Sequence, residues 1–399
     1  MAIFPIFIPH AGCPHQCVFC NQKTISGEKR TGVEDVVRQI GKYRQWIAPS
    51  RSNQAAFYGG SFTGLDMDLQ GRLFAPVDEL RAAGVIGSVR VSTRPDYIDG
   101  PRINLLKRHG VTLVELGVQS LDDRVLEKAR RGHTREDVVR AVALLRDAGL
   151  SVGLQLMVGM PGQTRESLRE TVDEVCRLQP DIARIYPLLV VKGTPLEEQW
   201  RQGLFTPLSV EEAADRAAYV YRRLEERGIK VIRIGLQPDE ELCRPGNILA
   251  GPFHPAMGEL VKSRVCRDAV TEVVAELLPE AGEAAAGGGT DVASGENAES
   301  GGNPAMEGCC KARRFVILPG RPEITVEVAL QGRMADEPVG AVLGSAAGGG
   351  PGSGDNERVA KVRISFPVQL ESKLRGQKNT NLRYWRERFP GAEIELVRK

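Results

Sequence analysis

Neither sign of charge is in excess in this sequence: 53 Lys and Arg stand against 51 Asp and Glu, a formal +2. That balance excludes an acidic solvating protein and gives no global signal for nucleic acid. Long hydrophobic runs are missing too, and nothing approaches the roughly 20 apolar residues that cross a bilayer. The apolar start, Met1-Ala2-Ile3-Phe4-Pro5-Ile6-Phe7-Ile8, is short, has no basic leader and runs into a cysteine cluster. It reads as mature sequence of a cytoplasmic protein, with no membrane partner, and Gly12-Cys13 does not read as a lipidation site. Cysteine is scarce: eight in 399 residues are too few for a disulfide scaffold. Three of the eight fall within eight positions, which points to a metal in a reducing compartment.

Length predicts two or three domains, and the composition marks where they part. Lys and Arg are absent between Arg267 and Lys311, and the 44 glycines gather late in the chain. Segments 279–310 and 344–356 are built from Gly, Ala, Ser, Glu and Asn. Such composition buries too little apolar surface to offset the entropy of ordering, so both read as disordered linkers. The divisions expected are 1–235, an extension over 236–278, the linker 279–310, and a small α+β region over 311–399 interrupted at 344–356.

The body repeats a strand-then-helix pattern. β-rich runs begin near Ile3, Gln54, Ser88, Val111, Leu150 and Asp181, each followed by residues at helical spacing, and Ser209 caps a helix over Val210 to Arg227. Alternation at this spacing predicts an α/β fold with parallel strands and right-handed crossovers. Six units are too few for a full eight-unit barrel and fit a partial (β/α)6 barrel. The unusual residues all fall at the carboxyl ends of those strands, the active-site face of β/α barrels.

The first of these strand ends carries Cys13, Cys17 and Cys20, a C-x3-C-x2-C array with Phe19 before its last cysteine. Three thiolates on one loop can hold three irons of a [4Fe–4S] cluster and leave the fourth iron without a protein ligand. Structural zinc, with His10 or His15 as fourth ligand, is the bland alternative. Zinc sites usually come in two halves, and Cys176, Cys243, Cys266, Cys309 and Cys310 offer no second half.

The array, with a partial β/α barrel behind it, resembles the radical S-adenosylmethionine (SAM) superfamily. Several motifs are narrower: Phe57-Tyr58-Gly59-Gly60-Ser61-Phe62-Thr63, Ser92-Thr93-Arg94-Pro95-Asp96, Glu115-Leu116-Gly117-Val118-Gln119-Ser120, Arg131-Gly132-His133-Thr134, Met160-Pro161-Gly162 and Ile185 to Thr194. They resemble the radical SAM module of the Elongator catalytic subunit, and oxygen-independent coproporphyrinogen oxidases share a subset. The resemblance covers about 1 to 260. It implies a cluster on Cys13, Cys17 and Cys20, SAM as co-substrate, an electron donor such as flavodoxin or ferredoxin, and reductive cleavage of SAM to a 5′-deoxyadenosyl radical.

It also implies a pocket. Backbone at Gly59 and Gly60, with the Ser61 hydroxyl, suits the SAM ammonium. Arg131, twelve residues after Gln119, matches the carboxylate ligand, with Arg130 as the competing neighbour. Gln119 suits the ribose or carboxylate, and Ser92 and Arg94 face SAM unless Arg94 pairs with Asp96 or Glu115. Gln155 stands where coproporphyrinogen oxidases carry an acid, Phe19 borders the cluster, and Val158 to Met160 form an apolar wall. On the substrate side the resemblance suggests Tyr186, Lys192, Gln237 and His254.

Two departures limit the transfer. The Elongator subunits have a longer gap between their first two cysteines. After Lys311 this chain has no Arg/Gln-x-x-Gly-x-Gly/Ala loop for coenzyme A, so an acetyltransferase is not expected. From Glu357 to Lys399 eleven Lys or Arg face five Asp or Glu, with Tyr384 and Trp385 among them. Basic residues interleaved with aromatics suit RNA, or else form a solvated face. The function expected is a radical SAM enzyme acting on a tRNA base. A small-molecule radical reaction and a non-catalytic iron–sulfur or RNA-binding module are the alternatives, and the oligomeric state is not legible.

Overall fold

The computed structural model describes residues 1–8, 13, 15–21, 32–236, 242–286, 311–316, 324–331 and 359–399. They form two compact units, Met1–Gly258 and Glu259–Lys399. In the first unit the six expected strands are present: β1 (Ile3–Phe7), β2 (Gln54–Tyr58), β3 (Ser88–Thr93), β4 (Val111–Gln119), β5 (Ser151–Val158) and β6 (Ile182–Pro187). Between and after them run α1 (Val33–Arg44), α2 (Met67–Ala82), α3 (Gly100–Arg108), α4 (Asp123–Lys128), α5 (Arg135–Asp147), α6 (Arg165–Leu178), α7 (Pro195–Arg201) and α8 (Val210–Glu226). Neighbouring strands pair in parallel in chain order, which is the partial barrel the alternation predicts.

The sheet has one strand more than the alternation predicts. After the short β7 (Val190–Val191), β8 (Lys230–Ile234) joins β6 in parallel, and seven strands curl into a half-barrel. The segment Lys230-Val231-Ile232-Arg233-Ile234 does not stand out in the sequence because no helix comes directly after it to complete a unit. The next strand, β9 (Ile248–Ala250), runs antiparallel to β7.

Alternation along the strands sets the two faces of the sheet. On β1, Phe4 and Ile6 are fully buried under the helices, while Ile3, Pro5 and Phe7 line an interior cavity. Phe57, Phe62 and Phe74 pack between sheet and α2 with centroids 4.6–5.5 Å apart. Helix starts are fixed by side chains: Thr134, Thr164 and Ser209 each accept the backbone N–H three residues on, and the cap expected at Ser209 is among them. Such a cap is worth about 1 kcal/mol.

The second unit begins with α9 (Met257–Ala286), which continues past Pro279, where a linker was expected to start. Ala and Glu there sustain a helix that Gly alone would not. The rest of that linker, the 344–356 segment, Cys309 and Cys310 lie outside the described residues. A four-stranded sheet comes next, in the order β10 (Lys311–Val316), β11 (Ile324–Gln331), β12 (Val359–Phe366) and β13 (Ala392–Arg398). β12 and β13 are parallel, so their connection must cross over, and α10 (Glu371–Arg375) and α11 (Thr380–Arg388) make the crossover.

Here the RNA-stacking expectation needs correction. Trp385 is 1% exposed and its indole N–H donates to Thr271 Oγ1 at 3.0 Å, so it is a core residue. Tyr384 lies under the Arg267 guanidinium at 4.5 Å. On the sheet, Lys361 and Arg363 pair with Glu393 and Glu395 on the adjacent strand. Arg383, Arg386 and Arg388 remain exposed on α11.

Candidate active site

The cysteine loop leaves the carboxyl end of β1 and is held by distant backbone. Val18 N–H donates to the Ala129 carbonyl at 3.1 Å, and the Val18 carbonyl accepts from Leu196 N–H at 2.8 Å. Val18 is buried among Val125, Ala129, Met160 and Leu196, with Phe19 packed against the same cluster. Asn21 Nδ2 donates to the Lys192 carbonyl at 2.9 Å. The His15 ring lies on Gly132, where an added Cβ would stand 2.2 Å from Cε1. These contacts fix where the thiols point.

Cys17 is buried, Cys13 and Cys20 are half-buried, and no described cysteine is in a disulfide. All three line one cavity of about 1020 Å³. Among the described residues no three His, Cys, Asp or Glu converge as they would around a single ion. A tetrahedral zinc needs its ligands about 2.0–2.3 Å from one point. His10, one of the two residues that could complete a zinc site, lies outside the described residues.

Around that space stand the other strand ends. Gly59, with φ 93°, and Gly60 bring bare backbone to the wall. Ser61 is 1% exposed; its hydroxyl lies 3.0 Å from Thr93 Oγ1 and accepts from Arg94 N–H at 3.3 Å. That hydroxyl is therefore engaged in joining β2 to β3. Ser92 lines the cavity. Arg94 is buried and forms a two-point ion pair with Asp96, at 3.0 and 2.9 Å, and its Nη1 has no partner.

Gln119 and Gln155 face each other, Gln155 Nε2 donating to Gln119 Oε1 at 3.2 Å. Arg131 is buried; Nη1 donates to Cys17 Sγ at 3.2 Å, Nη2 donates to the Gly117 carbonyl, and Nε has no partner. Arg130 is exposed and lies outside the cavity wall. Gly117 leaves room for both groups: a Cβ there would stand 3.1 Å from Gln119 Nε2 and 3.4 Å from Arg131 Nη2.

Three expected features lie elsewhere, and a fourth is not described. Val158 and Met160 are packed in the core, and only Met157 of that strand end reaches the cavity. The Lys192 side chain is exposed and does not line it. His254 is not on the wall either; its Nδ1 accepts the N–H of Ala256. Gln237 lies outside the described residues.

The cavity also contains residues to which the sequence motifs give no role. Tyr58, Arg90, Glu115 and Arg184 line it together with Tyr186. Burial, reinforced by the Glu115 carboxylate, raises the Tyr58 pKa above the ordinary phenol value. A sequence signal for them exists: Arg90, Glu115 and Arg184 each sit between apolar neighbours on the inward phase of a strand. His133, two residues past Arg131, is buried with neither ring nitrogen in a well-formed hydrogen bond. Burial, then the positive charges of Arg131 and Arg94, lower its pKa to about 3, so its imidazole is neutral.

Comparison with known proteins agrees with this geometry. The chain is 29% identical over 260 residues to a tRNA uridine(34) acetyltransferase of Methanocaldococcus jannaschii, covering 55% of this chain and 48% of that protein. It is 31% identical over 162 residues to Elongator complex protein 3 of Saccharomyces cerevisiae, covering 40% of this chain and 28% of the relative. The chain thus spans half or less of the length of these relatives. Among solved structures, an archaeal Methanocaldococcus infernus Elp3 with an N-terminal deletion superposes with a TM-score of 0.53 at 22% identity. That match covers 82% of this chain and 74% of the other, and supports the fold. Residues 7–175 match the family model of the radical SAM superfamily and residues 180–267 that of the radical SAM C-terminal domain. With three cysteines at the end of β1 and seven strands behind them, this chain belongs to the radical SAM superfamily of enzymes.

Proposed function

We propose that the cavity holds a [4Fe–4S] cluster on Cys13, Cys17 and Cys20 and SAM on the adjoining strand ends, and that the substrate is a tRNA base. One observation carries the reading. Three thiols and two buried guanidinium groups share one cavity, and each guanidinium keeps an N–H-bearing nitrogen without a partner. Two guanidinium groups beside three thiols favour an anionic ligand such as a carboxylate. Held by Cys13, Cys17 and Cys20, such a cluster would supply the single electron that reductive cleavage of SAM to methionine and a 5′-deoxyadenosyl radical requires.

The chain's own residues bind and orient. Arg131 reaches both Cys17 and the space beside it, so it positions the SAM carboxylate next to the cluster. Gly59 and Gly60 offer carbonyls to the ammonium at close range because no side chain intervenes. Ser61 and Thr93 hold the turn that carries them. Gln119 and Gln155 present amide donors and acceptors to the ribose. Arg94, neutralised by Asp96, lines the same wall. Phe19 and Met157 give the wall its apolar part.

The tRNA substrate is supported by the similarity to the tRNA uridine(34) acetyltransferase of Methanocaldococcus jannaschii. Acetyl transfer is not part of the proposal. A one-electron donor of the flavodoxin or ferredoxin type is the partner the chemistry asks for. The test is anaerobic reconstitution with iron and sulfide, then dithionite, SAM and unmodified tRNA. The expected result is 5′-deoxyadenosine that increases with tRNA and is lost in Cys13→Ala, Cys17→Ala and Cys20→Ala. A reconstituted protein that makes none overturns the catalytic reading; yield indifferent to tRNA overturns the substrate.

A further inference from the structure

One part of the cavity lies outside the SAM contacts proposed above. Arg90, Glu115 and Arg184 project into the half-barrel, in positions that branched aliphatic side chains fill in a closed eight-stranded barrel. Glu115 accepts from Arg90 Nη1 at 3.2 Å, from Arg184 Nη2 at 3.1 Å and from Arg184 Nε. Among the described residues Glu115 is the ion-pair partner of both guanidinium groups. Two cations and one anion leave a single positive charge inside a protein wall, an arrangement that is unfavourable unless something negative completes it.

The surroundings of Arg184 are arranged for such a group. Its Nη1 donates to the Tyr186 oxygen at 3.3 Å and its Nη2 to the Tyr58 oxygen at 3.4 Å. Each phenol therefore accepts from Arg184 and keeps its own O–H to donate. Both rings line the cavity, and the raised pKa of Tyr58 keeps that proton in place. Gly153 makes the room: a Cβ there would stand 3.1 Å from Glu115 Cγ. The result is a guanidinium flanked by two hydroxyl donors, with its charge half compensated from behind.

We propose that Arg184, with the hydroxyls of Tyr58 and Tyr186, is a second binding site in this cavity, for a singly charged oxyanion carried by the substrate. The site rests on the proposed function in one respect, that the oxyanion belongs to the molecule that gives up hydrogen. A phosphodiester beside an RNA base and a carboxylate on a small metabolite share the required chemistry, one negative charge and at least two acceptor oxygens.

The experiment is calorimetric titration of the full-length, reconstituted protein with SAM present, using three probes: the dinucleotide uridylyl-uridine, uridine and butyrate. The dinucleotide is expected to bind at least tenfold more tightly than uridine. Arg184→Gln and the double variant Tyr58→Phe/Tyr186→Phe are each expected to lower that affinity about tenfold, the loss typical of one hydrogen bond to a charged group. The double variant retains the Arg184–Glu115 pair, so it tests the site even where Arg184→Gln fails to fold. SAM affinity measured alongside reports whether the cavity is intact. Butyrate binding in place of the dinucleotide, lost in the same variants, assigns the oxyanion to a small-molecule carboxylate and keeps the site. Binding of neither anion, or affinity unchanged in both variants, overturns the proposal. A protein that forms 5′-deoxyadenosine and binds neither anion loses this site alone.

Discussion

Arg131 donates to the sulfur of Cys17 at 3.2 Å while its Nε stays without a partner. The same residue lines the cavity that Cys13, Cys17 and Cys20 share. Replacing it removes a charge-assisted hydrogen bond worth about 1.5–3 kcal/mol, or roughly ten- to a hundred-fold in binding. Arg131→Ala is expected to weaken SAM binding by that factor and to retain iron. Arg130→Ala, on the exposed neighbour, is expected to change neither. Equilibrium dialysis with SAM and iron analysis check both.

The thiols themselves give a sharper expectation. A triple Cys→Ala variant at Cys13, Cys17 and Cys20 is expected to retain no reconstituted cluster. Cys176→Ala and Cys266→Ala are expected to keep the full complement, since both thiols are buried away from the cavity wall. Iron and sulfide per chain, with the visible absorption of the cluster, decide it.

Gly117 separates a binding effect from a folding one. A methyl there presses on Gln119 Nε2 and Arg131 Nη2, both side-chain atoms that can shift by a few tenths of an ångström. Gly117→Ala is expected to leave thermal unfolding nearly unchanged and to weaken SAM binding about two- to tenfold, the range of one misplaced hydrogen bond. A variant with unaltered affinity removes Gln119 and Arg131 from the SAM pocket.

His133 makes stability depend on pH. Its folded pKa of about 3 lies below the unfolded value of 6.5, so the unfolded chain binds the extra proton first. Stability should therefore rise with pH through the interval from 3 to 6.5 and be flat above it, with a limiting slope of about 1.4 kcal/mol per pH unit from this group. Denaturant unfolding of His133→Gln across that interval is expected to show a shallower slope than the parent. Equal slopes place the dependence on other groups.

The second unit offers a test of RNA contact by charge alone. Trp385→Ala is expected to destabilise that unit by about 3–5 kcal/mol, as loss of a buried aromatic does. Arg383→Ala/Arg386→Ala/Arg388→Ala changes only an exposed helix face and is expected to leave folding intact. If those arginines meet phosphates, the log–log salt dependence of tRNA binding flattens by about 0.7 per contact. An unchanged slope makes the face a solvated one.

Much of the fold is legible in the sequence because repetition is loud. Six strands can be found since each is followed by a helix, and β8 is hidden since none comes directly after it. The cysteine array and the glycine turns stand out because few residue types can do their work. Trp385 shows the opposite case: a Trp among arginines reads as a surface feature until tertiary packing buries it against Thr271. Arg90, Glu115 and Arg184 are invisible as a group because their pairing depends on register, and only the sheet sets Gln155 beside both Gly117 and Arg184.

The anchoring of the cysteine loop has a consequence for the order of events in the cell. Val18 is bonded to Ala129 and Leu196, which stand at the end of α4 and the start of α7. The frame around the thiols therefore exists only after more than half of the first unit has been synthesised and packed. A cluster held there as proposed would enter a frame set by packing, unlike a zinc finger, whose metal drives its folding. The iron-free protein is therefore expected to unfold cooperatively on heating, as a folded chain does.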